Sequence, residues 1–170
     1  MGGGHIFFFM KKIILALAAF VSFMANASAA PVIEKPWEHG KLQVSANHRY
    51  LQHADGTPFF WLGETGWLLP ENLNRSEVAF YLSKCAENGY NVVQIQTVNG
   101  VPAINIYGAM SHPNGFDFSA IDQPGQYGYW QHMDYLVSVA ERYGIYIGMV
   151  CIWGNLVKAG LMDEQQAVAY

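Results

Sequence analysis

Apolar runs alternate with segments of helical periodicity along most of this chain. The run from Pro58 to Leu62 is almost wholly apolar and leads through Gly63 into Glu64 and Thr65. This pattern predicts a strand covered on both faces, with polar groups at its carboxyl end. Similar runs from Tyr90 to Gln96 and from Ile145 to Ile152 predict two further strands.

The segments between these runs carry helix signals. A helix is predicted from about Arg75 to Asn88, because its apolar residues recur on one helical face. Asn74 and Glu77 have the spacing of a capping box at its start. A second helix, with the same kind of apolar face, is predicted from about Trp130 to Tyr143.

Less regular segments flank these elements. After a polar leader at residues 31–40, Leu42 to Val44 and Tyr50 to Gln52 predict a hairpin of two short strands. A loop of roughly thirty residues, from Thr97 to about Tyr129, far exceeds the usual connection of ~4–6 residues. Its many aromatic side chains favour an ordered, packed loop. A third helix is predicted to begin at Asp163.

The order of elements predicts an α/β fold with parallel strands: a β-hairpin, then three strand–helix units, the third unfinished. A doubly wound sheet and a (β/α)8 TIM barrel both fit three such units. The first strand–helix turn lacks the glycine pattern that cradles a dinucleotide, so the barrel is favoured. A complete barrel takes ~250 residues. Residues 41–170 are therefore expected to be the N-terminal portion of one.

The first thirty residues have the pattern of a secretory signal peptide. Lys11 and Lys12 precede an apolar run from Ile13 to Met24, and small residues follow at 27–30. A membrane anchor is the alternative, but the run is shorter than the ~20 residues that span a bilayer. The sequence therefore predicts a secreted or periplasmic protein without stable membrane insertion after signal cleavage.

Charge and composition narrow the classes of partner. The net charge is −4, and removing residues 1–30 leaves seven cations and 13 acids, or −6. The absence of a basic run argues against nucleic acid as a partner and favours neutral ligands. Cys85 and Cys151 are expected to be two free thiols in the core rather than a disulfide. Neither a metal site nor a cofactor is expected.

A candidate binding site lies at the edge where the predicted strands end. Its members are Glu64, Thr65, Gln96, Asn99, Trp153 and Asn155, with Trp67 and His112 added from loops. Carboxylates and amides bond to the hydroxyls of neutral sugars, while indole faces cover the apolar faces of sugar rings. This inventory indicates a carbohydrate ligand.

Each candidate also has a structural interpretation. Glu64 is alternatively a carboxylate that accepts bonds from loop amides, and the two tryptophans are alternatively rim packing. Gln94 and Gln96 are expected to point to different sides, and the sequence does not decide which points inward. A loop histidine such as His112 is more often a packing or surface residue than an acid or base.

Several motifs carry a resemblance to a known family. In chain order they read Leu-x-Val-Ser-x-Asn-His-Arg-Tyr-Leu from Leu42, Asp-Gly-Thr-Pro-Phe-Phe-Trp-Leu-Gly-Glu-Thr-Gly-Trp from Asp55, Asn-Gly-Tyr-Asn-Val-Val-Gln from Asn88, Tyr-Gly-Ile-Tyr-Ile-Gly from Tyr143, and Trp-Gly from Trp153. Over about residues 41–157 the chain resembles the apiosidase-like glycoside hydrolases, a secreted bacterial group with a TIM-barrel catalytic domain. It departs from the family's Gly-Asp-Thr pattern at Glu64.

The resemblance implies hydrolysis of plant cell-wall polysaccharide, such as release of a side-chain pentose from a pectin. It also implies catalytic carboxylates at the ends of the fourth and seventh barrel strands, beyond Tyr170. No catalytic pair is therefore assigned, and Glu64 is expected to be a substrate ligand. A non-catalytic carbohydrate-binding or surface glycan-capture module is the alternative.

Overall fold

Two three-stranded sheets organise the chain in a computed structural model that describes residues 35–115, 127–160 and 163–169. The antiparallel sheet has the order β1 (Leu42–Val44), β2 (Leu51–His53) and β3 (Pro58–Phe59). The predicted hairpin is therefore confirmed. A 3₁₀ helix, Pro36–His39, precedes it within the predicted leader. The predicted signal peptide lies outside the described residues and stays a prediction.

The second sheet is parallel and alternates with helices, as predicted. Its strands are β4 (Gly63–Thr65), β5 (Val92–Val98) and β6 (Tyr146–Ile152), in that order. The helices are α1 (Leu69–Asn72), α2 (Arg75–Glu87), α3 (Tyr129–Arg142), α4 (Gly154–Lys158) and α5 (Glu164–Ala169). Among the helices in these ranges, none is long and apolar enough to cross a membrane.

The first predicted strand is wrong in its pairing and in its bounds. Pro58–Phe59 pairs with β2 of the hairpin, and the chain enters the parallel sheet only at Gly63. Proline suits such a position because it has no N–H to donate to a central ladder. Between the sheets Phe60 is 78% exposed, so this apolar run is not covered on both faces.

The side-chain amide of Asn91 holds this crossing between the two sheets. Its Oδ1 accepts the Leu62 N–H at 2.9 Å, and its Nδ2 donates to the Phe60 carbonyl at 2.7 Å. One side chain thereby satisfies backbone groups that neither sheet pairs. Asn91 directly precedes β5, and its two bonds hold the residues just before β4. The start of β5 thereby sets where β4 begins.

The predicted helix signals are confirmed. Asn74 Oδ1 accepts the Ser76 and Glu77 N–H groups at 3.0 and 3.1 Å, and Glu77 Oε2 accepts the Asn74 N–H at 2.8 Å. Asp163 and Gln166 make the same reciprocal pair before α5. Helices α1 and α4 have only four and five residues and were not predicted.

The main core lies between the parallel sheet and helices α2 and α3. Its fully buried members include Val78, Leu82, Val93, Ile95, Leu136 and Val139. Cys85 is buried there as predicted, and no disulfide links it to Cys151. The prediction of a buried Cys151 is wrong, because β6 borders β5 on one side only and the Cys151 side chain is exposed.

Candidate functional site

The register of the parallel sheet decides which strand-end residues share a face. Glu64 is aligned with Val93, while Thr65 is aligned with Gln94 and Gln94 with Gly148. Aligned residues of neighbouring strands point to the same side, and successive residues point to opposite sides. A Cβ placed on Gly148 lies 3.2 Å from Gln94 Cγ, which agrees with this assignment.

Glu64 therefore lies on the helix-facing side, together with the core residue Val93. Burial raises the pKa of Tyr81 and of Cys85, and the negative charge of Glu64 adds to both shifts. Both residues belong to α2, so Glu64 is close to that helix. The structure thus separates Glu64 from Thr65, although the two are adjacent in the predicted site.

Gln94 and Gln96 share the opposite face, which we call the open face and define by Thr65, Gln94, Gln96 and Gly148. The expectation that the two glutamines point to different sides is wrong, because residues two apart in a strand point to the same side. Gln96 is 4% exposed, and its Nε2 has no hydrogen-bond partner among the described residues. An unsatisfied buried donor costs about 1–3 kcal/mol.

Trp67 and Trp153 meet at the carboxyl edge of the parallel sheet. Their ring centroids are 5.6 Å apart with an interplanar angle of 68°, and we call this pair the tryptophan corner. Trp67 follows β4, and its carbonyl accepts the Gln96 N–H at 2.9 Å. Trp153 follows β6 and is 43% exposed. The corner therefore spans the end of β5 and retains accessible indole surface.

Glu71 is a candidate that the sequence analysis missed. It lies in α1, and its Oε1 accepts the Asn99 N–H at 2.9 Å, directly after β5. Burial raises the pKa of this carboxyl, and the bond from Asn99 acts in the opposite direction. The sequence signal for Glu71 was its position four residues after Trp67. This signal was not recognised because α1 was not predicted. The Asn99 side chain is exposed, as is Asn155 in the first turn of α4.

His112 lies inside the long loop rather than on an accessible surface. It is 1% exposed, its ring packs edge-on against Trp130 at 5.5 Å, and its Nδ1 is 3.0 Å from Ser111 Oγ. Burial lowers the pKa of His112. The surroundings of this side chain therefore correspond to the packing alternative.

The predicted ordering of the long loop is confirmed for its described part. The Tyr129 hydroxyl donates to the Thr97 carbonyl at 2.6 Å, and Trp130 Nε1 donates to the Ser111 carbonyl at 2.8 Å. Phe116 and Phe118, two aromatic residues of this loop, lie outside the described residues. Within the described ranges, no group of three or more His, Cys, Asp or Glu side chains is placed to hold a metal ion.

Comparison with known proteins decides the family. The sequence pattern of a family described as apiosidase-like, catalytic domain, matches residues 45–170. The chain belongs to this apiosidase-like family. A search of curated proteins gave no match.

Two solved structures resemble this apiosidase-like chain. One is a glycoside hydrolase family 5 protein from Bacteroides vulgatus ATCC 8482, with 59% identity and a TM-score of 0.80, over 82% of this chain and 30% of that one. The other is a glycoside hydrolase with 57% identity and a TM-score of 0.79, over 82% of this chain and 31% of that one. The chain therefore spans less than a third of the length of either.

The family assignment makes this chain part of a glycoside hydrolase family. Its strand-end acids are nevertheless not arranged as a pair. Glu64 faces α2, while Glu71 is bonded to the backbone of Asn99. Among the described residues of this apiosidase-like chain, the open face thus carries amides and a hydroxyl, and the tryptophan corner beside it carries two indoles. Within that described part of the chain, neither carries two facing carboxylates.

Proposed function

We propose that this chain is the amino-terminal part of the (β/α)8 catalytic barrel of a secreted glycoside hydrolase. Its substrate would be plant cell-wall polysaccharide, with release of a side-chain pentose from a pectin as one reaction of this class. The observation that carries the proposal is the tryptophan corner at the carboxyl edge of the parallel sheet, above the buried amide of Gln96. In barrel enzymes this edge carries the active site.

The chemistry of this edge suits a neutral sugar. Exposed indole surface on Trp153 can cover the apolar face of a sugar ring. Gln96 Nε2 is a buried donor without a partner in the described residues, so a sugar hydroxyl that accepts from it would satisfy the donor. Thr65 supplies a hydroxyl on the same face. These groups recognise hydroxyls and ring faces, and none of them requires a charged ligand.

Hydrolysis needs more than these groups. It requires two carboxylates flanking the glycosidic bond, about 5–5.5 Å apart for retention or about 6.5–9.5 Å for inversion. We assign no such pair to this chain and propose that strands beyond Tyr170 supply it. In this proposal the later carboxylates cleave the substrate. The residues of this chain that bind it are Thr65, Trp67, Gln96 and Trp153.

The test uses the protein made from the uninterrupted reading frame that contains this chain. Sugar release is measured on pectins and other plant cell-wall polysaccharides, with the wild type and with Trp67→Ala and Trp153→Ala. We expect sugar release by the wild type and a rise of about tenfold in KM for each variant, which corresponds to ~1.4 kcal/mol of lost binding.

The matched control is Trp61→Ala. It removes an indole that is also exposed but belongs to the segment of chain that joins β3 to β4. This variant should keep the wild-type KM. A folded wild-type protein that releases no sugar from any of these polysaccharides would refute the enzymatic proposal. Equal KM values for all three variants would refute the role of the tryptophan corner.

One alternative is a glycan-binding module that does not cut, because the tryptophan corner and the Gln96 amide, which is unpaired within the described residues, could bind a sugar without hydrolysing it. The same preparation separates the two functions. Saturable binding of a cell-wall polysaccharide that requires Trp67 and Trp153, without any sugar release, would support the module and exclude the hydrolase.

A further inference from the structure

A buried histidine connects the long loop to two helices at a place that the proposed function does not use. His132 lies in the first turn of α3 and has no exposed surface. Its Nδ1 is 2.8 Å from the Tyr127 hydroxyl, and its Nε2 is 2.8 Å from the Leu73 carbonyl just before α2. Both ring nitrogens are therefore engaged.

These two partners define the protonation state of the ring. A carbonyl oxygen can only accept, so Nε2 carries the proton and donates it to Leu73. Nδ1 is then the acceptor for the Tyr127 hydroxyl. The neutral ring satisfies both contacts at once. A second proton on Nδ1 would force the Tyr127 hydroxyl to reverse its role.

Aromatic contacts extend this arrangement into a cluster, which we call the His132 cluster and define by Arg75, Tyr107, Tyr127, His132 and Tyr135. Tyr107 packs edge-on against Tyr127 at 5.2 Å and against His132 at 5.3 Å. The Tyr107 hydroxyl accepts the Arg75 N–H at 2.9 Å, and the Tyr135 hydroxyl donates to the Arg75 carbonyl at 3.0 Å. Two parts of the loop are thus fastened to the beginnings of α2 and α3.

The positive charge of Arg75, close to His132, disfavours protonation of the histidine ring. The Arg75 guanidinium lies 4.3 Å from the Tyr135 ring centroid, and the Tyr135 ring is stacked with His132 at an interplanar angle of 12°. Burial lowers the pKa of His132 and Arg75 lowers it further, against the opposing effect of the Leu73 carbonyl.

The acids of the two helices offer no compensation in the described contacts. Glu77 of α2 accepts the Asn74 N–H, and Asp134 of α3 is exposed. Among the described residues, the other titratable groups in contact with the ring are the hydroxyls of Tyr107, Tyr127 and Tyr135. Arg75 is therefore the charged member of the cluster, and it has the same sign as a protonated histidine.

We propose that His132 is a pH-sensitive latch, which holds Tyr107 and Tyr127 against the starts of α2 and α3 while neutral and releases them when protonated. At neutral pH the ring bridges Tyr127 and Leu73, and the loop is fastened. In acid the buried ring gains a positive charge beside Arg75, and its Nδ1 can only donate to the Tyr127 hydroxyl instead of accepting from it. A buried charge without an opposite charge to pair it is costly, so the contact is abandoned. The cluster then opens locally, without unfolding of the main core.

Hydroxyl-radical footprinting with mass spectrometry tests the latch, on the protein made from the whole reading frame. Labelling of Tyr127 is measured between pH 7.5 and 5 and compared with that of Tyr50, an exposed tyrosine outside the cluster. Tyr127 is 37% exposed, so its complete release would raise labelling about 2.7-fold. We expect this rise for Tyr127, with its midpoint below the usual histidine pKa of about 6.5, and none for Tyr50.

Two substitutions assign the effect to one histidine. His132→Gln keeps a donor for Leu73 and an acceptor for Tyr127 but cannot be protonated, so Tyr127 labelling should become independent of pH. His112→Gln removes a second fully buried histidine, outside the cluster, and should leave the rise unchanged. A pH-independent Tyr127 in the wild type would overturn the latch, and this measurement decides even if His132→Gln fails to fold. A rise that survives in His132→Gln, or that His112→Gln abolishes, would also overturn it.

Discussion

Substitution of Gly66 by alanine is expected to destabilise the protein and to move the tryptophan corner. The new Cβ would overlap Leu69 Cδ1 and lie 3.0 Å from Leu69 Cγ and 3.3 Å from the Tyr81 hydroxyl. Leu69 begins α1 and is 3% exposed, so its side chain has little room to yield. Overpacking of this kind costs about 1–3 kcal/mol. Urea unfolding should show this as a lower midpoint at an unchanged slope.

A matched substitution separates the close approach from general effects of replacing glycine. Gly154→Ala adds the same methyl group where no atom lies within 4 Å, so its stability should stay within about 0.5 kcal/mol of the wild type. In the double variant Gly66→Ala with Leu69→Ala, the smaller side chain makes room for the methyl group. Its loss should therefore be smaller than the sum of the single losses. Equal midpoints for Gly66→Ala and the wild type, or equal losses at both glycines, would refute the packing argument.

Two further outcomes follow from the capping and charge of the fold. Asn74→Ala removes the acceptor for the Ser76 and Glu77 N–H groups, so unfolding experiments should show a loss of about 1 kcal/mol, and little loss would mean that water replaces the cap. Burial lowers the folded pKa of His112 and of His132, so the unfolded chain takes up protons first as the pH falls. Stability is then full above about pH 6.5 and decreases as the pH falls towards the folded pKa values. Thermal unfolding at stepwise pH should show this decrease, and His112→Gln should make it shallower; an equally steep decrease in that variant would exclude His112 as a contributor.

Local signals in the sequence were sufficient for the two long helices, α2 and α3. The capping partners Asn74 and Glu77 are three residues apart, and both contacts form within one turn. The second helix was also located to within one residue, at Tyr129–Arg142. These elements depend on neighbours in the chain, so a periodic pattern with a cap describes them almost completely.

The strand pairing could not be read in the same way. Apolar composition did not show that Phe59 belongs to the hairpin sheet and Gly63 to the parallel sheet, because the change depends on Asn91, about thirty residues away. Strand β5 likewise begins at Val92 and ends at Val98, two residues later than predicted at each end. Pairing partners distant in sequence therefore set the strand bounds, and alternation alone cannot supply them.

The predicted site residues at the strand ends lie at one edge of the parallel sheet, but they do not all lie on one face. Trp67 and Trp153 come together because each follows a strand of one parallel sheet, which the order of elements already implied. Glu64 and His112 were less predictable, because their surroundings depend on the register with β5 and on the fold of the loop. Side-chain chemistry therefore led only to a hypothesis about the ligand class, while tertiary structure was needed to assign each side chain to a face.

The side of the sheet on which Glu64 lies changes how its departure from the family's Gly-Asp-Thr motif is interpreted. If Glu64 lay on the open face, its additional methylene would shift a charge within the proposed sugar site. Its alignment with Val93 instead directs it towards α2, where its charge affects Tyr81 and Cys85. Accommodation of a longer carboxylate is then a matter of packing between β4 and α2. Thr65, the next residue of the motif, is the one that lies on the open face.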